Sequence, residues 1–548
     1  MKAATLKQIA SKLLLLTFSI FLPLTTVLAA DWPSFRNDGG NTGSSAETIN
    51  LPLTEQWHST APLVEENGAV VANGVAYMLS NDGKLYAFNV QTGFNMPGFP
   101  VNVQVSYSSP AVDQANGKVY ALTGTTLHAF NLNGTPAWAK AVGGTGDNYN
   151  QGPVIDEGFV YIKAGDHLQK FNAAGTLQWA TATGGNDTQP AIMGGYVYSN
   201  DQAGRIHKFD KLTGVEQAGG FPIATGSQQA SLTAVDGKLF FKAGLLYAYN
   251  ATNGALLWSQ PAGGNSTYYD SPAVSGGVVY VYGWDGKLYA FNENTGATMA
   301  GFPSAILNPT GDRNWSSPAV AGDKVFVGAG TSQKLKVLGA AGTAQAGQVL
   351  EEHLTFSTDT QGFDLCSPVI SNGWVFAMLD GGGLYAFFGG GGTPPKGALT
   401  INNGATCTES PDVTLTLDNN NNPDVDQMRI SEDPFFSGAQ WQPYATTSPW
   451  TLSAGFGKKT IYAQLKDKNG LVSNVFTAQI DYSESCAKSC DINQDSKIDR
   501  TDISLIMAQR GKTVPPASPI YDTDGDGKIT VNDARACVLK CTNANCAP

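Results

Sequence analysis

The sequence predicts a mainly β protein: an eight-bladed β-propeller, then a small β-sandwich, then a small α-helical tail. Three observations carry that reading. Eight copies of one strand, hairpin, strand unit recur at a period of about 43 residues before residue 389, a period found in propellers and solenoids. A run of Gly and Pro at 389–397 then separates them from a second region of short alternating strands. Residues 486–548 carry a duplicated acidic loop, each copy leading into a helical stretch.

Composition agrees. With 63 Gly and 28 Pro in 548 residues, about one residue in six punctuates the chain, yet the every-third-residue spacing of collagen is absent. Hydrophobic residues at 42% are ample for cores. The formal charge of −12 excludes a nucleic-acid binder that works through a basic stripe.

Residues 1–30 read as a signal peptide. Lys2, Lys7 and Lys12 carry the only charges, an apolar run follows from Leu13 to Val27, and Val27-Leu28-Ala29-Ala30 ends in small residues. Its removal takes the formal charge from −12 to −15. The protein is expected to be secreted, to the cell surface or beyond, with the periplasm left open. No later run approaches the length of a membrane span.

Residues 31–388 are read as the propeller. Asn81 to Gly93 (NDGKLYAFNVQTG) returns almost unchanged as Trp284 to Gly296 (WDGKLYAFNENTG). The anchors of the eight copies are Phe88, Phe130, Phe171, Phe209, Tyr249, Phe291, Leu338 and Phe387, spaced 38 to 49 residues apart. Apolar and polar residues alternate on both sides of a Gly-rich turn, the signature of a hairpin. A Pro-led apolar run precedes most hairpins, as at Ser109 to Val112, Ser271 to Val274 and Ser317 to Val320. Proline at a strand's first residue costs no ladder bond. Closing such a ring requires a strand from Leu53 to Leu63 to complete the last blade.

These copies resemble pyrroloquinoline-quinone-type (PQQ-like) propeller repeats, in which a Trp follows the hairpin. Trp138, Trp179 and Trp258 keep that Trp, whereas Gly98-Phe99-Pro100, Gly220-Phe221-Pro222 and Gly301-Phe302-Pro303 replace it. The opening stretch Asp31 to Gly43 (DWPSFRNDGGNTG) also resembles the start of such proteins. Quinone-dependent dehydrogenases of this fold imply a vicinal Cys pair, an acidic base and acidic Ca²⁺ ligands. Here the propeller has Cys366 alone and the chain has no CxxCH, so PQQ is not expected. Any propeller ligand, a glycan or a peptide, is expected at the mouth formed before the Pro-led strands. Tyr107, Tyr149, Tyr269, Asp270, Arg313, Trp315 and Asp364 lie there, aromatics beside charged groups. The five His residues are scattered and form no catalytic constellation.

Residues 398–485 read as a sandwich, with alternating runs at Val413 to Leu417 and Lys459 to Leu465. The stretch from Met428 to Leu452 resembles bacterial immunoglobulin-like spacers. Its aromatics, including Trp441, Tyr444 and Trp450, are expected in packing roles rather than stacked on sugars.

The tail holds the sharpest motif. Asp491 to Asp502 and Asp522 to Asp533 are twelve-residue loops whose starts lie 31 residues apart. Ca²⁺ needs hard oxygen at loop positions 1, 3, 5, 9 and 12 and a carbonyl at 7. The residues there are Asp491, Asn493, Asp495, Lys497 (carbonyl), Asp499 and Asp502, then Asp522, Asp524, Asp526, Lys528 (carbonyl), Thr530 and Asp533. Two calcium ions are therefore expected, with helices over 501–510 and 531–540. Asp at position 12 resembles the dockerin family, a double EF-hand reduced to loop and exit helix, although Ser496 stands where such loops carry Gly. That resemblance implies partner contacts through Arg500, Thr501, Val531 and Asn532 and a cohesin-like surface protein as partner.

Seven Cys in an exported chain imply disulfides and one leftover thiol. Cys407 with Cys486, and Cys490 with Cys537 or Cys541, are the expected pairings, with Cys546 in the remaining one and Cys366 free. The function expected is a non-catalytic scaffold with a docking tail, in a polysaccharide-degrading setting. The alternative is an enzyme acting on polysaccharide or alcohol at the propeller mouth.

Overall fold

The structure is a computed structural model. It describes residues 31–59, 61, 68–105, 108–143, 152–185, 188–225, 231–264, 271–308, 316–329, 334–354, 367–378, 383–390, 395–433, 436, 439–468, 471–473, 475–483, 490, 492–493, 497–523, 527–539, 541 and 546. The expected signal peptide and Cys366 lie outside the described residues.

Each sequence copy forms one antiparallel sheet, so the described residues up to Gly389 hold eight sheets, numbered here in chain order. The first strands are Val70–Ala72, Ala111–Asp113, Val154–Asp156, Ala191–Met193, Thr233–Val235, Ala273–Ser275, Ala319–Ala321 and Val369–Ser371. They are the innermost: successive ones, the third and fourth excepted, pack close to each other around a propeller-like ring, and the last meets the first. Second and third strands pair through tight turns, as Lys118–Thr123 with Thr126–Asn131. Alternating side chains fill the spaces between neighbouring sheets, with Val70, Tyr77, Leu85 and Ala87 of sheet 1 sharing a cluster with Val112, Val119 and Phe130 of sheet 2. In sheet 6 three strands are described, and the segment through Phe302 runs beside the third without a ladder, Met299 and Ser304 donating N–H bonds to Ala290 and Leu288.

Two devices close the ring. Leu53–His58 pairs antiparallel with Leu384–Gly389, so sheet 8 takes its outer strand from the N-terminal side, as the strand pattern anticipates. The second device is residues 32–45, which thread along the inner strands. Trp32 pairs with Val71, and the N–H groups of Val112, Ile192, Ala234, Val274 and Val320 donate to the carbonyls of Pro33, Gly39, Gly40, Thr42 and Gly43. Ser44–Ser45 then runs parallel to Ala319–Ala321.

The seams between sheets use two interchangeable contacts. In the first, an outer-strand Trp crosses onto the third-strand turn of the next sheet. Trp57, Trp138, Trp179 and Trp258 donate their indole N–H to the carbonyls of Val90, Ala173, Lys211 and Glu293 at 2.6–3.2 Å. Each ring covers a left-handed Gly of that turn, Gly93, Gly175, Gly214 or Gly296, where a Cβ would sit 2.6–2.8 Å from the indole. A bulge beside each Trp turns it out of its own sheet. In the second contact the backbone at Gly98, Gly220 and Gly301, just before each Phe-Pro pair, meets the backbone at Gly134, Gly254 and Gly347 of the next sheet.

Residues after 397 form two sheets around one core. Ala398–Ile401, Asp412–Asp418 and Thr447–Thr451 make one; Val425–Ser431, Gly457–Asp467 and Phe476–Tyr482 lead the other. Leu415, Leu417, Met428, Ile461 and Leu465 fill the space between them, with Tyr444 and Trp450 packed at the margin. Leu471 joins the ring's own core beside Trp32 and Trp374, fixing the second region against the ring. In the tail two helices, Arg500–Ala508 and Val531–Val538, are two residues shorter at their C-terminal ends than the sequence predicts.

Two outcomes test this account. Gly214→Ala, which drives a Cβ into Trp179, should cost roughly 3 kcal/mol by strain and overpacking. Gly276→Ala, at a left-handed turn with nothing within 4 Å, should cost roughly 1 kcal/mol by strain alone. Equal losses in urea unfolding would remove the seam from the argument. Deleting residues 31–63 takes away thread and outer strand together and should lower the melting temperature of the whole ring; an unchanged temperature would deny both closures.

Candidate functional site

The ring axis holds the most enclosed polar chemistry of the described residues. Arg36 is 1% exposed. Its side chain lies over Gly43, at φ +61°, where a Cβ would collide with the guanidinium. From there it donates to the carbonyls of Ser271 (3.3 Å), Pro272 (3.0 Å) and Pro318 (2.5 Å) at the starts of two inner strands. Burial pulls the guanidinium down to about 9. Asp38 turns instead to the N–H and hydroxyl of Thr42, and burial raises its carboxyl. Asn41 donates to the carbonyls of Pro190 and Leu232. No reading of composition or repeats singled out these residues. The available signal was an Arg, an Asp and two Asn within an unrepeated stretch of eight residues, too polar for a strand core.

The Ser of the Pro-led motif has a role as well. The hydroxyls of Ser109, Ser317 and Ser367 accept the N–H of the matching residue in the preceding sheet, Gly68, Ser271 and Ser317, at 2.9–3.0 Å. At the opposite end of the axis Asp31 sits among the turns of sheets 8, 1 and 2, bonded by Asn73, Gln114 and Asn372. Glu47 accepts the N–H groups of Asn372 and Gly373 beside it. Burial raises both carboxyls, and Asp31 raises Glu47 further.

Every predicted mouth residue, Tyr107, Tyr149, Tyr269, Asp270, Arg313, Trp315 and Asp364, lies outside the described residues. The His residues hold local pairs, such as His207 between Glu216 (2.6 Å) and Asp201 (3.1 Å).

In the tail, Asp491, Asp495, Asp524 and Asp526 lie outside the described residues. Asp499 and Thr530 cap the two helices, and Asp502 and Asp533 close a capping box on each. Asp502 is wholly buried and also accepts the N–H groups of Ile492 and Asn493. Asp522 accepts the N–H of Gly527. Among the described residues no group of three or more acidic, His or Cys side chains comes together, and both Asp502 oxygens are engaged by backbone N–H groups. Lys497 and Lys528 leave their side chains exposed, as residues contributing a carbonyl would. Arg500, Thr501, Val531 and Asn532 are all exposed. Ile506, Ile529, Ala534 and Cys537 form the small core, with Ile503 and Met507 against it. Val538 is 48% exposed, at the end of its helix. Disulfides join Cys490 to Cys537 and Cys541 to Cys546; Cys407 is disulfide-bonded too, while its expected partner Cys486 lies outside the described residues.

Ring, seams and Pro-led inner strands define a PQQ-like repeat protein of propeller-like fold. A family profile described as outer membrane protein assembly factor BamB matches residues 52–219 and 218–392, more than half the chain, and the protein belongs to that family. Among curated relatives, the BamB proteins of Moranella endobia and Yersinia pestis are 27% and 26% identical over 221 and 217 residues, 37% and 36% of this chain. The chain spans about half the length of these relatives, 54% and 53%. Among solved structures, a europium-containing methanol dehydrogenase aligns over 66% of this chain and 98% of its own, at 13% identity and TM-score 0.51. A quinohemoprotein alcohol dehydrogenase from Comamonas testosteroni aligns over 68% and 82%, at 14% identity and TM-score 0.52. These likenesses show the fold. The axis here is occupied by the chain's own backbone and by Arg36 bonded to carbonyls, and residues 31–388 contain no vicinal thiols. These residues do not match a quinone pocket.

The Asp31 and Glu47 pair predicts a pH dependence. A carboxyl raised in the folded state keeps its proton while the unfolded chain ionises, so stability falls as pH rises from the ordinary Glu value of 4.5 through the folded one. Glu47→Gln should flatten that fall in melting experiments at increasing pH. A variant with the parent's slope would show that Glu47 carries no such penalty.

Proposed function

We propose that the protein is an exported, non-catalytic scaffold. Its ring is an eight-bladed PQQ-like β-propeller that serves as a recognition platform for a glycan or peptide at the mouth. An immunoglobulin-like spacer follows, and a dockerin-like tail docks to a cohesin-like surface protein in a polysaccharide-degrading assembly. The observation that carries this reading is the tail's duplicated geometry: two acidic loops, each ending in a capping box, with the four expected partner residues exposed beside them. Membership in a family described as an assembly factor supports a scaffold, and its outer-membrane description accords with export.

Calcium in these loops would be held by Asp491, Asn493, Asp495, Asp499, Asp502 and the Lys497 carbonyl, and by Asp522, Asp524, Asp526, Thr530, Asp533 and the Lys528 carbonyl. The ion supplies charge neutralisation. Eight carboxylates lie between Asp491 and Asp533, and in a domain with so little core their repulsion opposes folding until a cation is present.

Titration of metal-free protein should give two Ca²⁺ per chain, falling to one in Asp522→Ala. A pull-down from the producing cell's surface fraction should recover a partner with Ca²⁺ and lose it with chelator. Arg500→Ala combined with Val531→Asp should weaken recovery at least tenfold. A partner retained equally under chelation would refute calcium-dependent docking.

A further inference from the structure

Among the described residues Arg36 is an enclosed cation without an ion-pair partner. Its two terminal nitrogens are engaged by the carbonyls of Ser271, Pro272 and Pro318. Its Nε–H, buried with the rest of the side chain, has no hydrogen-bond partner. The Ser271 hydroxyl, on the residue whose carbonyl accepts from the guanidinium, is equally buried and equally without a partner. Asp38 is the carboxylate whose charge reaches Arg36, and both its oxygens are committed to Thr42. Carbonyl dipoles solvate a cation but do not neutralise it, and an uncompensated buried charge is among the costliest groups a fold can hold. The N-terminal segment laid across the axis thus brings a guanidinium to the residue that carries the unpartnered hydroxyl, with Nη2 3.3 Å from that residue's carbonyl oxygen.

We infer that the ring axis beside Arg36 and Ser271 is a binding site for one small anion, a halide or a carboxylate group of formate size. The Arg36 Nε–H and the Ser271 hydroxyl are its donors. With both terminal nitrogens already bonded, the guanidinium has no bidentate fork to offer, and the site takes a single anionic atom rather than the paired oxygens of a phosphate clamp. Burial pulls the guanidinium down to about 9, and a bound anion would restore its usual preference for charge. The inference stands independently of the tail and of the mouth residues.

The test uses the mature full chain in sodium chloride, bromide or formate against sodium gluconate, at one ionic strength. Small anions should raise the melting temperature saturably, since a ligand of the folded state alone stabilises it, whereas gluconate is too large to enter. Ser271→Ala removes an unpartnered hydroxyl and should fold normally while needing several-fold more anion for half the effect. Arg36→Gln should abolish the effect. A response to chloride and bromide alone identifies a halide site, and a response to formate alone a carboxylate site. Bromide-soaked crystals should show an anomalous peak beside Arg36 Nε, a readout that holds even where Arg36→Gln fails to fold. Melting temperatures equal in gluconate and small anions, an anion response unchanged in Ser271→Ala, or no peak at Arg36 would overturn the proposal.

Discussion

A ring of sheets leaves one row of peptide groups unpaired on its inner edge, and that constraint organises this protein. Inner strands of three residues are too short to tolerate buried, unsatisfied N–H groups. Residues 32–45 supply the missing acceptors for five of these strands in one pass and pair with a sixth through Trp32. The thread must then approach each strand closely, which is why it is rich in Gly. Gly40 lies so near the carbonyl of Ala234 that no Cβ fits between them. Arg36 and Asn41 follow from the same constraint, since both spend their donors on strand-start carbonyls that the thread's backbone does not reach.

The outer circumference solves a different problem. Neighbouring sheets meet at a fixed angle, and something must fill the wedge at the third-strand turn. An indole on a left-handed Gly does so at four seams, and a backbone contact before a Phe-Pro pair does so at three. Both bring a flat surface against a residue without a side chain. The two types of seam therefore coexist in one ring, the Trp seams on six-residue outer strands and the Phe-Pro seams where the outer strand is two residues long or forms no ladder.

Repetition made the ring legible. Eight anchors, alternating hydrophobicity and Pro-led runs placed the sheets, and the strand needed for closure falls at Leu53–His58 because an open outer edge is costly. The thread was not legible because it occurs once: periodicity has nothing to align it with, and its bonds run to residues as far away as Pro318. Phe-Pro seams looked like departures because sequence records the side chain, whereas the contact is made by backbone. In the tail, loop spacing located the helices but not their last two residues, because a periodic apolar face says nothing about where a helix stops, and Cys490, left open between Cys537 and Cys541, pairs with Cys537. The mouth residues, read from position and from aromatics set beside charged groups, all lie outside the described residues.

Closure through the N-terminal side also dictates an order of events. Thread and outer strand are the first parts of the ring to leave the ribosome, while the residue that Glu47 clasps, Gly373, is 326 positions later. Sheets made in between can form their hairpins at once, because those contacts are local. Six of their inner edges stay unsealed until the thread settles across them. Synthesis thus yields a string of half-satisfied sheets whose exposed edges invite pairing with other chains. A polypeptide interrupted before Leu384–Gly389 lacks the strand that Leu53–His58 pairs with, and its ring is left open there.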